Sequence, residues 1–357
     1  MYRGATASGS ARVYIDKPSQ RLLLAILLSA TNIASFALGI SVAGERTAQN
    51  VAAVAAPLTT PTTPSGRPAA RPNPKPSAAK PAPAPAPSAP APAADAPAPA
   101  VTTAGLPIAG KGMWIYEFDL VGKGNVHEIV KMATRYGLTH LYVRAGTSRS
   151  GLNTWPDVAR ILPVAHAAGL KVIPWFFPYL RDPAKDAART IAVLRTSVRG
   201  HHVDGFAADI ETPAEGTWLT RKRVKRYINA VRAKAPRAFM VLVPPRPNSW
   251  TIKFYPFDLV PRFDAVAPMV YWGAYDPMRA TADAVSYLKR FGKPIAPIGQ
   301  VYDMGPWGGP KGRPKPPALR RFMSEARVRG SVGISFWSWQ HSALPQWEAI
   351  RAFPWPS

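Results

Sequence analysis

The chain has 357 residues, 41 of them proline and none cysteine, with a formal net charge of +25. Without cysteine there is no disulfide, thiolate nucleophile or thiolate metal site, and a core of about 250 residues needs no such staples, so an extracellular location stays open. The charge favours anionic partners such as an anionic cell-wall polymer or a lipid surface; no basic run is interleaved with stacking aromatics, which argues against nucleic acid.

Residues 1–21 are polar, with Arg3, Arg12, Lys17 and Arg21 opposed by Asp16, and read as a cytoplasmic tail. Residues 22–44 carry no charge over 23 positions and are dominated by Leu, Ile, Ala, Phe and Val. As a helix that length spans a bilayer, and the positive charge before it puts the N-terminus inside and the rest outside. The alternative is a cleaved signal peptide with small-residue sites at 41–44 or 52–56. The first reading makes a single-pass membrane protein, the second a secreted one, and both export the remainder of the chain. Residues 45–105 are a linker of Ala, Pro, Thr and Ser, with 15 prolines from 51 to 105. Such a stretch cannot bury a core and is expected to be disordered, extended at up to ~3.1 Å per residue.

From Lys111 the composition changes. Apolar strand-like runs recur at 113–118, 138–144, 171–177, 203–210, 238–243, 265–271, 295–301 and 332–337, each followed by a helix-like stretch. Strands alternating with helices form parallel βα units, and eight of them within 106–357 predict an α/β fold, a closed (β/α)8 TIM barrel, expected as a monomer. Asn125 and Glu128 have capping-box spacing, Val126, Ile129, Val130 and Ala133 follow at helical spacing, and Gly137 ends that helix. Val158, Ile161, Leu162 and Ala165 fit one helix face, which Pro163 is expected to kink or split. Asp182-Pro183 is a cap followed by proline at the first helical position. The cluster Arg221, Lys222, Arg223, Lys225 and Arg226 reads as the solvated face of a helix. Residues 248–262 show no clean period and predict a long loop with a short helix.

The fourth run, 202–211, starts apolar and ends in Asp209 and Glu211. Residues two apart on a strand share a face, roughly 7 Å apart along the backbone. Two acids facing one way raise each other's pKa, so a core strand that ends in them has a use for them. Glycoside hydrolysis is one chemistry that needs such a pair: a proton donor and a group that stabilises positive charge at the anomeric carbon. Solvated acids at a strand exit, or a salt bridge to an arginine, are the plain alternatives. In a barrel the chemistry lies at the C-terminal strand ends. Those positions hold Glu117 and Asp119, then Arg144, Trp175, Tyr271 and Trp272, then Gln300 and Asp303, then Trp337 and Trp339. They make a carboxylate cluster walled by aromatics, suited to stacking on sugar rings and bonding hydroxyls; some of the tryptophans are expected to fill the barrel instead. Gly305–Gly309, with Pro306 and Trp307, reads as a flexible loop above the seventh strand, placed to cover a ligand. The six histidines have no metal-ligand spacing, and no cofactor motif is present, so neither a metal nor a cofactor is expected.

Asp204-Gly205, Asp209 and Glu211 resemble the D-G-x-D-x-D-x-E signature of family 18 (chitinase-type) glycoside hydrolases. Met269-Val270-Tyr271 resembles that family's sixth-strand M-x-Y, and Trp337 or Trp339 its eighth-strand tryptophan. The resemblance implies Glu211 as general acid, Asp209 orienting the substrate's N-acetyl group as internal nucleophile, and Tyr271 bonding the same group. Ala207 stands where the family has its first inner aspartate, and Trp272 where an aspartate often follows the tyrosine. Family 25 lysozymes are a second resemblance, with D-x-E on this barrel and Asp119 as the corresponding first-strand acid. The expected function is therefore an exported, membrane-tethered O-glycosyl hydrolase of a β-linked, amino-sugar-containing polysaccharide. The alternative, resting on Ala207 and Trp272, is a non-catalytic carbohydrate-binding or scaffold barrel. Glu211, nearer the mouth, is expected to keep its proton, and Asp209 to be ionised through hydrogen bonds from Arg144 or Tyr271.

Overall fold

The computed structural model describes residues 105–307 and 309–356. The tail at 1–21, the anchor at 22–44 and the linker at 45–105, except its last residue, lie outside these residues. Among the described residues no helix is long and apolar enough to cross a membrane.

The strands are β1 (Gly110–Ile115), β2 (His140–Thr147), β3 (Lys171–Phe177), β4 (Phe206–Asp209), β5 (Met240–Val243), β6 (Ala265–Val266), β7 (Met269–Val270), β8 (Ile298–Gln300) and β9 (Gly333–Trp337). All pair in parallel, in the order β6-β5-β4-β3-β2-β1-β9-β8-β7. The ends of this curled sheet meet, because β6 and β7 belong to one extended run. It was expected as a single strand, 265–271; Pro268 interrupts it, having no N–H for a ladder. Bonds on both sides carry the run across the gap: Ala267 donates to the Leu242 carbonyl (2.8 Å) and Ile298 to that of Pro268 (2.9 Å). Bridges Pro245–Met269 and Val266–Ile295 complete the closure.

Seven α-helices among the described residues cover the outside: α1 (Val126–Arg135), α2 (Trp155–Ala167), α3 (Pro183–Arg195), α4 (Arg221–Lys234), α5 (Pro277–Lys289), α6 (Pro316–Val328) and α7 (Leu344–Ala352). Asn125 caps α1 by accepting from the backbone of His127 and Glu128; Glu128 lies beside Lys131 (3.6 Å) rather than completing a box. Gly137 at φ +66° lets the chain turn out of α1, with Leu138 donating to the Ala133 carbonyl. Asp182 caps α3 through Ala184 and Lys185.

Two expectations change. Helix α2 runs unbroken through Pro163. Pro163 and Ala159, whose carbonyl loses its partner, both lie half-buried rather than in the core, which limits the penalty. In the fifth unit the short helix expected within the loop takes 3-10 form, as Thr251–Lys253 and Phe257–Arg262; Pro256 and Pro261 prevent an α-helical run there.

Side chains alternate between two cores. Met113, Ile115, Phe206, Ala208, Ile210, Met240 and Leu242 face the helices. Trp114, Tyr116, Ala207, Val241 and Val243 face the barrel interior. Rings fill that interior: Trp114 stacks on Tyr142 at 4.1 Å, and Trp175 and Trp337 lie 5.7 and 5.8 Å from Trp114.

Candidate active site

The alternation on β4 decides where the acids point. Phe206, Ala208 and Ile210 pack outward and Ala207 inward, so Asp209 and the following Glu211 continue the inward face. Both are buried, at 5% and 2% exposure. With Tyr271, Trp337, Trp114, Val243, Met269 and Ile298 they line a slot of about 10 Å³. That is about one water's worth of space, so a ligand larger than water has to sit above the slot at the mouth.

A third carboxylate joins them. Beyond Glu211 the chain reads Thr212-Pro213-Ala214-Glu215, a capping box with proline at its first helical position. The Thr212 N–H (3.1 Å) and hydroxyl both donate to the Glu215 carboxylate. Gly216, at φ +91°, ends the turn. The fold-back leaves Glu215 only 4% exposed and within electrostatic reach of the pair. Tyr255 reaches in from the fifth loop, and its hydroxyl donates to the carbonyl of Ile210, the residue between the two acids (2.8 Å).

Burial and mutual repulsion set the protonation of this cluster. Asp209 is pushed up to about 8, first by burial and then by Glu215. Glu211 is raised well above the usual carboxylate range by burial, Asp209 and Glu215. Tyr271 is raised by burial and by Tyr302 and the two acids, so it stays a neutral phenol. Both pushes on Asp209 run against the ionised state expected for it. Among the described residues its Oδ1 has no hydrogen-bond partner, and Arg144 and Tyr271 do not bond it. Both directions favour retention of a proton by the buried pair.

Comparison with known proteins adds the fold. No protein-family model matches the chain, and no curated protein matches it. Solved structures do. An endo-β-1,4-mannanase from Thermotoga petrophila is similar at a TM-score of 0.54 and 11% identity, over 70% of this chain and 77% of that one. A β-galactosidase from Marinomonas ef1 is similar at 0.52 and 13%, over 68% of this chain and 58% of the other. A family 18 N-acetylglucosaminidase from Paenibacillus barengoltzii scores 0.47 at 12% identity, over 68% and 99%. What the likeness shows is the fold, a parallel α/β barrel.

Within this barrel the sequence-predicted site residues divide. Asp209, Glu211, Tyr271 and Trp337 come together on the slot. Trp175 packs beside them, 5.4 Å from Trp337, its indole N–H donating to the Ile115 carbonyl. Arg144 lies over the Tyr116 ring at 4.7 Å, one layer toward the mouth. The others are held elsewhere. Glu117 has the outward parity of Ile115, and Asp119 is exposed on the 3-10 turn Phe118–Leu120, against Gly124. Neither reaches the slot, and Glu215 supplies the third acid instead. Trp272 follows the inward Tyr271 and so faces out, 5.4 Å from Phe322. Trp339 sits on the turn Trp339–His341, which rotates it onto Trp347 at 4.8 Å. Gln300 faces inward but is engaged with the Gly273 N–H (3.1 Å) and the Tyr302 carbonyl (3.3 Å). Asp303 staples its loop by accepting from Gly305 (2.7 Å) and Gly312 (2.8 Å). Trp114, Glu215 and Tyr255 escaped the sequence reading. Alternation on β1 marks Trp114, and T-x-x-E spacing marks Glu215; nothing local marks Tyr255.

Proposed function

We propose that the protein is an exported glycoside hydrolase of a β-linked envelope polysaccharide, held at the membrane by residues 22–44 and extended from it by the linker. Glu211 is the general acid, Asp209 the assisting carboxyl group, and Tyr271 a hydrogen-bonding group for the substrate. One observation carries this: two carboxyl groups, both raised by burial, share one aromatic-walled slot at the C-terminal end of the barrel. A carboxyl that keeps its proton at neutral pH is what protonation of a glycosidic oxygen requires. The neutral Tyr271 can donate to a substrate oxygen, and Trp337 offers a ring face beside it. Amino-sugar polymers fit the resemblance at Asp209, Glu211 and Tyr271, while Ala207 leaves Asp209 without the neighbouring acid of that pattern.

The narrowness of the slot and the small Ala207 favour one alternative, a barrel that binds glycans without cutting them. The test is release of reducing ends from peptidoglycan, chitin oligosaccharides and acidic polysaccharides by the parent and by Glu211→Gln. Hydrolysis by the parent that falls by roughly 10²–10⁴ in the variant, with ligand binding retained, is expected. Equal rates in both would move the acid elsewhere, and binding without cleavage by the parent would support the alternative.

A further inference from the structure

An exposed tryptophan in a cationic groove stands beside the acid slot. Trp218, on the loop after β4, is 52% exposed. Its backbone N–H donates to the Tyr179 carbonyl (2.7 Å), and the guanidinium groups of Arg181 and Arg223 each lie 5.4 Å from its ring. Arg223 is fixed by donating to the carbonyls of Leu180 (2.8 Å) and Arg181 (2.9 Å). Leu180 holds φ +59°, a left-handed conformation that a branched side chain disfavours, and its N–H is taken by the buried Asp186 (3.0 Å). The turn that presents Tyr179 and Arg181 is thus built in place rather than a slack loop.

Next to Trp218 lies a groove of about 490 Å³, lined by Arg181, Asp182, Thr220, Lys222, Arg223 and Arg226. Among the described residues none of its four cations enters an ion pair, whereas Arg221, on the same helix, pairs with Asp258. The one carboxylate, Asp182, is occupied by the N–H groups of Ala184 and Lys185. A basic face whose four cations outnumber its one carboxylate draws an anion. The tryptophan narrows the choice, since its ring offers an apolar face to a ring-shaped ligand while the arginines hold its edges. Tyr179 relates the groove to the slot. Tyr179 bonds Trp218 through its backbone, and its hydroxyl lies within electrostatic reach of Arg144, Arg149 and Glu211.

We propose that this groove is an outlying subsite for an acidic polysaccharide, a polymer of carboxylate-bearing sugars, whose chain runs from Trp218 past Tyr179 to the slot of Asp209 and Glu211. The proposal rests on the hydrolase reading for the direction of the chain and on the groove itself for the charge of the polymer.

The test is equilibrium binding of the full chain to polygalacturonate, to soluble neutral β-mannan and to single-stranded DNA, at low and near-physiological salt. Cleavage of both glycans is followed in parallel. Polygalacturonate is expected to bind roughly tenfold more tightly than mannan at low salt and to weaken as salt rises. Trp218→Ala should weaken it by about tenfold, the loss of one stacking platform. The double variant Lys222→Gln/Arg226→Gln should weaken it several-fold and flatten the salt dependence, with an unchanged circular dichroism spectrum. Equal binding of the two glycans, or variants that bind polygalacturonate like the parent, would overturn the subsite. So would DNA that displaces polygalacturonate and depends on the same residues. The two ideas fail separately. Loss of polygalacturonate binding in Trp218→Ala, with no cleavage by the parent of peptidoglycan, chitin oligosaccharides or the two glycans, keeps the subsite and removes the hydrolase; Glu211-dependent cleavage with polygalacturonate binding indifferent to Trp218→Ala does the reverse.

Discussion

Asp209 and Glu211 lie two residues apart on one inward face, and that placement has a consequence for stability. The folded chain holds the Asp209 proton up to about pH 8, against an ordinary carboxyl value of 3.8. Between about pH 4 and pH 8 the folded state therefore binds a proton that the unfolded state has released. The stabilisation is complete below about pH 4 and is lost as pH rises through about 8. Thermal melts of the parent should show Tm falling from mild acid toward pH 9. Asp209→Asn cannot ionise, so it should flatten that decline and melt higher than the parent above pH 8. An unchanged slope in the variant would mean that Asp209 is already ionised in the folded chain. At this scale the sequence was legible where strand parity applies: Asp209, Glu211, Tyr271 and Trp337 all have the inward parity. It misled at Trp272 and Trp339, where the one-residue offset or a turn sends a large ring outward.

The elements show the same mixture. Most strands lie within a few residues of their expected limits, and β3 occupies 171–177 as expected. The caps at Asn125 and Asp182 are local and were readable. Pro163 was not, because its effect depends on which side of α2 its missing hydrogen bond faces. That gives a prediction. Pro163→Ala restores an N–H to the Ala159 carbonyl inside an intact helix. It should stabilise the protein by roughly 1–3 kcal/mol in denaturant titration, less the small entropic advantage that proline gives against the unfolded chain. Destabilisation would show that the proline ring is packed rather than tolerated. The fifth unit carries a different lesson, since a stretch without periodicity supplies Tyr255, the hydroxyl that braces the end of β4.

At the scale of the whole molecule, the barrel closes on itself and has its own double core. Residues 106–357 expressed alone should unfold in one transition that reductant does not alter, with the midpoint of the full chain. A midpoint lower by many degrees would mean that residues 45–105 contribute packing. The proposed topology has its own check: protease added to intact cells should release the barrel by cutting within 45–105, and a barrel that resists until lysis would reverse the orientation. The charge belongs to this scale as well. From Leu106 onward 36 Lys+Arg face 17 Asp+Glu. Pairs such as Arg232–Asp264 and Arg321–Asp276 engage the acids and leave the excess of cations unchanged. The part of it in the groove of Arg181, Lys222, Arg223 and Arg226 is what gives the surface its preference for anions.

The amino-acid order by itself determined the βα alternation, hence the barrel, and the parity that turns Asp209 and Glu211 to one side. Both are local properties: hydrophobic periodicity and the two-residue repeat of a strand are written in consecutive residues. Tertiary structure alone decided what surrounds the pair. Glu215 returns to the acids through a turn, Tyr255 arrives from a loop more than 40 residues on, and Trp114 crosses from the first strand. The proton affinity of the site depends on that company, because burial and neighbouring charge are sums over space and not over sequence.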